Sequence, residues 1–427
     1  MIIPIIFFIF LKIKLMMAEK KNAKNINKSI FAKENINIGH QSELDYLKAM
    51  DIFLMILLHV YDNYSKGYLY HYIDFISFIL GAAGFMLLMG IGMKYSRHHE
   101  PKNYFERAFV LLTMGQYLNI LRDSLPNLIA WWYTGNKKFI ARALNVVNAD
   151  ILTFAGISYI LLGLMKIIKL SDNCILIISI FMNIVAYPLH QIIKPPNNYF
   201  LNLFLGFFIL TNAESYFSLC SYFIFVAFGY WLGGICQKIS NKDKFYNNVL
   251  IICLPTSIIY YYFRSHYDFP FFPEYLSEEG YCLSPGPDAI ATCMVNLSAL
   301  AIFHKIDKIL GKTPEFITEA GKKLNQYYIL SYFFIIPLKT FLSATRGDDF
   351  PSKLKYPTLF ALMVLVITTI LIDMNDKYIH LTIFTLKNPL RNIIFAFIWI
   401  ISIIIIIYAY PKVDTYATMW NDYLYEV

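Results

Sequence analysis

A chain of 427 residues that is 57% hydrophobic, 17% aromatic and only 15% charged carries too few charges to solvate a soluble fold of its size. Its apolar runs are each long enough to cross the roughly 30 Å of bilayer hydrocarbon, and they do not alternate, which excludes a membrane β-barrel. The net charge of +8 sits in short loops between these runs, where Lys and Arg set topology, so it is no signal for a nucleic-acid partner. The fold expected is an all-α polytopic transmembrane bundle.

Residues 1–15, MIIPIIFFIFLKIKL, are apolar but lack the charged flank and small-residue cleavage site of a signal peptide. Met16 or Met17 is the expected start, so that 1–16 need not be translated. The polar stretch 18–42 reads as a disordered cytoplasmic tail that completes the N-terminal segment 1–42. Residues 43–411 form one membrane domain and 412–427 a C-terminal tail.

Spans are expected near 46–64, 74–95, 106–129, 149–169, 173–190, 217–237, 246–263, 288–304, 325–343, 357–374 and 391–410. That makes about 10–11 spans. The segment 199–212 is apolar but short, and reads as a re-entrant or buried half-helix. If it does not cross, the basic loops 94–107, 238–244, 304–312 and 377–391 all lie on the cytoplasmic side with the N-terminus. Lys137, Lys138 and Arg142 then fall outside, so 122–148 is expected to fold back into the protein as part of a site. The loops are too short for an independent soluble core. Six cysteines form no CxxC pair, and neither a disulfide framework nor a metal site is expected.

The first span, ELDYLKAMDIFLMILLHVYDNY, carries Lys48 at its entry and His59 deep inside it. Eleven helical residues make just over three turns, so the two share a face about 16 Å apart. Ionisable groups in a span are costly there. His59 is either satisfied by a neighbouring helix or a general base, since neutral imidazole takes a proton near pH 7. Asp62, one turn on, and Asp150, at the start of the fourth span, are candidate carboxylates to orient it; Asp150 is equally a helix N-cap. Lys48 is either a snorkelling anchor, paired with Asp45, or a phosphate contact.

The second span ends GFMLLMGIGMKYSRHHEPKNYFERAF. Gly81 and Gly84 read as helix-packing glycines. Gly90 and Gly92 precede a basic cluster containing Arg97 and Arg107, which suits anionic lipid headgroups or the phosphates of a nucleotide-type cofactor. Arg122 and Asp123 end the third span and either pair structurally or belong to a site. Trp131, Trp132 and Tyr133 are an interfacial belt or a surface for stacking a sugar.

These segments resemble a known family. ELDYLKAMDIFLMILLH is similar to the opening of the acyltransferase-3 family of integral membrane acyltransferases, in which an Arg, ten residues and a His share the first span. Lys48 stands at the Arg position and His59 at the His. FMLLMGIG resembles the family's second span, with Gly90 matching and Arg107 similar to the arginine after it. ITEAGKKLNQYYILSYFFIIPL resembles a later segment in which Gly321 and Tyr328 match, and Tyr332 or Phe333 stands where the family has a His. The pattern, over 43 to about 343, is also similar to heparan-glucosaminide acetyltransferase-like proteins. The resemblance implies transfer of an acyl group, commonly acetyl, from cytoplasmic acyl-CoA to a hydroxyl or amine of a surface or lipid-linked glycan, in a bacterial plasma membrane. It implies His59 as base with Asp150 or Asp62, and Lys48, Arg97, Arg107 and Arg122 as ligands of the donor. The rival from another class is a transporter or flippase for a glycan or lipid, in which intramembrane charge marks a pathway.

Overall fold

In a computed structural model the described residues are 30–65, 67–193, 198–209, 217–267, 284–379 and 390–413. The proposed start at Met16 or Met17, residues 18–29 of the tail, Cys282, most of the loop 264–288, most of 377–391 and residues 414–427 lie outside them.

Helix is the dominant regular structure of the described residues. Only an isolated bridge between Phe31 and Ile239 has β character. Helix α1 is Ser42–Asn63, and α2 is Tyr70–Tyr95 with a π-turn at Ser77–Gly81. Helix α3, Pro101–Asn119, runs through a π-turn at Ile120–Ser124 into α4, Leu125–Thr134. Then come α5 (Lys137–Arg142), a 3-10 turn at Ala143–Val147, and α6 (Ile151–Ile167). They are followed by α7 (Asp172–Ile192), α8 (Tyr199–Phe208), α9 (Leu219–Cys236) and α10 (Lys242–His266). The last five are α11 (Gly286–Leu310), α12 (Glu315–Lys322), α13 (Leu324–Arg346), α14 (Pro357–Met374) and α15 (Leu390–Ala409).

Seven helices among the described residues are long and apolar enough to cross a membrane: α2, α7, α9, α11, α13, α14 with its π-turn, and α15 with its last turn. Helices α1, α3 and α10 are of spanning length, 22, 19 and 25 residues, with more polar and charged side chains, and α6 has 17 residues. The protein is an all-α polytopic membrane bundle.

Ion pairs and caps show how the helices alternate. Lys94 at the end of α2 meets Asp172 at the start of α7 at 2.5 Å, and Lys166 at the end of α6 meets the same carboxylate at 3.7 Å. Gln237, just past α9, donates to the Lys94 carbonyl at 3.1 Å. Lys242 at the start of α10 pairs with Glu43 at the start of α1 at 2.8 Å. These ends share one side of the bundle, the basic end. The far ends of α7 and α9 therefore share the other side, and α8, ten residues or about 15 Å long, does not carry the chain across. This is the half-helix expected at 199–212, of which 199–209 are described.

Close packing depends on two facing glycines. A Cβ on Gly90 of α2 would lie 2.1 Å from the Val226 carbonyl oxygen, and one on Gly229 of α9 would lie 2.0 Å from that of Leu87. Backbone meets backbone here, as small residues permit between membrane helices. Gly90 therefore shares the packing role that sequence alone gave to Gly81 and Gly84, and Gly84 holds it too, since a Cβ there would lie 2.7 Å from Asn296 Oδ1 of α11. A Cβ on Gly81 would meet only Ser77 of its own helix turn.

Residues 30–41 are ordered, where the expected disordered tail ran over 18–42. Ala32 and Ile36 donate to the carbonyls of Lys238 and Gln237 at 2.7 and 2.8 Å, and Ser240 donates back to Ile30 at 2.8 Å. The Asn37 amide caps the carbonyls of Cys236, at 3.2 Å, and of Ile239. Segment 30–41 satisfies backbone groups left open where α9 ends, so pairing overrides its polar composition.

Candidate active site

The site lies in the half of the bundle opposite the basic end, where α1, α3, α6 and α13 converge. His59 reaches it from α1 and is half-buried. The Tyr332 hydroxyl of α13 lies 2.5 Å from His59 Nε2 and 3.2 Å from Nδ1, and the two ring centroids are 4.4 Å apart. The hydroxyl donates to whichever nitrogen lacks a proton, or accepts from the one that carries it. Tyr328, one turn earlier, stacks edge-on against Tyr332 at 5.0 Å.

Arg122 lies beneath these rings. Its guanidinium is 4.9 Å from the Tyr332 ring centroid, a cation–π contact in a desolvated setting. Its Nε donates to Asp123 at 2.6 Å and its Nη2 to Asn119 Oδ1 at 2.9 Å, and Nη1 is 3.7 Å from Asp150 Oδ2. Arg122, Asp150 and Asn119 are all buried. One guanidinium thus serves two carboxylates and an amide, which is how a buried charge is tolerated.

Asp150 fills both roles left open by its sequence position. Its Oδ1 caps α6, accepting from the amides of Leu152 and Thr153 at 3.0 and 3.1 Å, while Oδ2 faces Arg122 and accepts from the Tyr328 hydroxyl at 3.4 Å. Gly115 lets the start of α6 come this close to α3, since a Cβ there would lie 2.7 Å from Thr153 Oγ1. Asp150 therefore reaches His59 only through the chain Tyr328, Tyr332 and Arg122.

The fold-back expected for 122–148 is present and well anchored. Phe139, Ile140, Ala143, Leu144 and Val146 are buried. Asn119 Nδ2 donates to the carbonyls of Val146 and Asn148 at 3.2 and 3.0 Å, and Ser124 donates to that of Ala143 at 2.8 Å. At the rim of this end Lys339 of α13 donates to Asn63 Oδ1 at 3.1 Å, and Asn63 donates to the His59 carbonyl at 2.8 Å. Lys138 pairs with Asp348. Trp132 and Tyr133 are exposed, while Trp131 packs edge-on to Tyr408 at 5.9 Å.

The sequence-derived candidates divide into two groups. His59, Asp150 and Arg122 come together. Asp62 is exposed on the outer rim, beyond His59. Lys48 lies at the basic end, 3.5 Å from Asp45, whose other oxygen is 2.9 Å from His40 Nε2. Arg97 follows the end of α2, Arg107 lies on the second turn of α3, and both are exposed. Arg122 is thus grouped with His59 and not with the other basic residues proposed for the donor, and two of its five N–H groups are engaged by Asp123 and Asn119. Asn119 and Lys339 were not anticipated, because a lone amide and a lone span lysine carry no spacing signal. Tyr332 was legible only as the residue standing where a His was expected.

No curated protein and no solved structure matches the chain. Residues 41–262 match the family described as heparan-alpha-glucosaminide N-acetyltransferase, catalytic. The match begins just before α1, ends within α10, and includes Lys48, His59, Arg97, Arg107, Arg122 and Asp150, but not Tyr332. It spans just over half of the chain, and the protein belongs to this family of membrane transferases.

Proposed function

We propose that the protein transfers an acetyl group from acetyl-CoA to an amine or hydroxyl of a glycan or lipid-linked saccharide, with donor and acceptor arriving from opposite sides of the membrane. The observation that carries this reading is the His59–Tyr332–Arg122–Asp150 cluster, set about 16 Å along α1 from Lys48. That separation suits an extended pantetheine arm. The donor's phosphates would rest at the basic end near Lys48, Arg97 and Arg107, which positive-inside logic assigns to the cytoplasm. The setting is a bacterial plasma membrane.

His59 acts as general base. The acceptor nitrogen or oxygen attacks the thioester carbonyl, its proton passes to the imidazole, and the carbon–sulfur bond breaks. The same proton then leaves with the CoA thiolate, so the imidazole returns to its starting state. Tyr332 holds the ring in one orientation until the acceptor displaces its hydroxyl. Arg122, fixed by Asp123, Asn119 and Asp150, provides a positive field where the oxyanion develops. Asp62 and Lys339 at the rim would meet the acceptor first.

The test is acetyl transfer by purified protein, together with thermal stabilisation by acetyl-CoA. A ligand of the folded state raises apparent stability. His59→Ala should lower transfer by orders of magnitude and retain stabilisation. Full transfer by His59→Ala overturns the assignment of the base, and a wild-type protein indifferent to acetyl-CoA overturns the reaction class in favour of a transporter.

A further inference from the structure

Asp51 lies near the middle of α1, on the same helix as His59, and takes no part in the site described above. It is 3% exposed, and neither of its carboxylate oxygens has a hydrogen-bond partner. An unpaired carboxylate at mid-bilayer depth is among the costliest groups a membrane protein can hold. Something must neutralise it.

Asn296 of α11 donates both amide hydrogens, to the carbonyls of Ile79 at 2.9 Å and Thr292 at 3.0 Å. That fixes which way the amide faces, so Oδ1 is directed elsewhere, and it too lacks a partner. Asn296 Oδ1 lies 2.7 Å, and both Asp51 oxygens 3.2 Å, from the point a Cβ on Gly84 would occupy. Three acceptor oxygens, all buried and unpartnered, thus converge on the backbone of Gly84, which leaves them room by having no side chain. Acceptors facing one another repel unless a hydrogen or a cation lies between them.

Among the described residues no cationic side chain pairs with Asp51. Its oxygens converge with Asn296 Oδ1 of α11 on Gly84 of α2. Lys48, Asp45 and His40, toward the basic end of α1, are engaged with one another. Helices α13 and α14 pack on the stripe of α1 that carries Ile52, Ile56 and Val60. Tyr327 of α13, a titratable group in that cluster, is bonded to Thr369 at 3.2 Å.

We propose that Asp51 is an intramembrane proton-binding site, in which the carboxylic acid donates its hydrogen to Asn296 Oδ1 beside Gly84. A proton satisfies two facing acceptors at once and removes the charge. A hard metal cation would need about six oxygens to replace its hydration shell, twice the number converging here. The proton comes from solvent during folding and stays bound, coupling the packing of α1, α2 and α11 to occupancy of the site.

The test is infrared spectroscopy of the full-length protein in detergent at neutral pH. The carbonyl stretch of a protonated carboxylic acid, shifted in deuterium oxide, is expected in the wild type and absent from Asp51→Asn. Asn296→Leu, which removes the acceptor, should move the band to the higher frequency of a non-hydrogen-bonded acid. Asp51→Asn mimics the protonated form and should fold, with acetyl transfer unchanged. Should Asp51→Asn not fold, the band in wild type and its displacement in Asn296→Leu still decide the matter. A wild-type spectrum without the band overturns the proposal. So does a band that Asn296→Leu leaves in place, or a melting temperature that rises with sodium over choline in wild type but not in Asp51→Asn, which would make the occupant a metal ion.

Discussion

The hydroxyl of Tyr332 lies 2.5 Å from His59 Nε2, across the contact between α13 and α1. It joins a residue inside the family match to one beyond it. An imidazole held this way has a defined orientation before any substrate arrives, and its partner is fixed in turn by the ring stack with Tyr328 and the guanidinium of Arg122. Orientation of a base by a further hydrogen-bonded group is what proton transfer in an active site requires.

Replacing His59 with Ala should lower kcat for acetyl transfer by roughly 10²- to 10⁴-fold, the usual contribution of a positioned base. Tyr332→Phe keeps the ring and its stacking but loses the hydroxyl, and should lower kcat by a smaller factor, about tenfold, with the KM for acetyl-CoA unchanged. Steady-state kinetics on both variants checks the order. Equal losses in kcat would mean that Tyr332 is itself a base or acid.

Arg122→Met should destabilise the protein by about 3–5 kcal/mol, because Asp123 and Asp150 lose the guanidinium that compensates them in a buried setting. Arg122→Met combined with Asp150→Asn should recover part of that loss, since one orphaned charge is then removed. Thermal unfolding in detergent measures both. A simple sum of the two single effects would show that the pair is not coupled.

Gly90→Ala and Gly229→Ala each place a methyl about 2 Å from a facing carbonyl oxygen, which forces α2 and α9 apart. Each should cost about 1–3 kcal/mol or prevent folding. Gly92→Ala is the control, because nothing lies within 4 Å of the added atom. Yield and melting temperature of the three variants make the comparison.

Lys48→Met should raise the KM for acetyl-CoA with little change in kcat, the signature of lost uniform binding of a donor phosphate. Lys48→Arg, which offers a planar fork in place of a point charge, should lower that KM. A KM indifferent to both changes would leave Lys48 as the partner of Asp45 alone.

Much of the fold is legible in the residue order because hydrophobic length is a strong signal. The boundaries expected for 357–374 coincide with α14, and the 199–212 segment stood out by its shortness between Pro195-Pro196 and Asn212 to Glu214. The inward fold of 122–148 was legible from Lys137, Lys138 and Arg142 lying on the side where basic loops are not expected. The site was less accessible. His59 and Asp150 are unusual residues for their surroundings and can be picked out singly, but their connection runs through Tyr328, Tyr332 and Arg122, and tyrosine is abundant in this chain. Asp51 was passed over because a lone acid carries no spacing pattern. Its significance depends on Asn296, which is far away in the chain and whose amide orientation is set by two carbonyls. The order of segment 30–41 could not be read at all, since polar composition says nothing about the open carbonyls at the end of α9.

Helix α1 is pinned at its first turn by Lys242 on Glu43 and, at 2.6 Å, by Ser42 on Asp307. Lys48, Asp51 and His59 are therefore mounted on one rigid rod whose spacing is set by helical pitch and not by loops. Inserting a single residue between Lys48 and His59 would advance the imidazole by about 1.5 Å and swing it by about 100° relative to the entry of the helix. No side-chain rotation could restore its contact with Tyr332. Evolution of this protein can lengthen the loops at either end, but the stretch from Lys48 to His59 has a fixed length, and insertions or deletions there should be lethal to function even when every residue they leave is conservative.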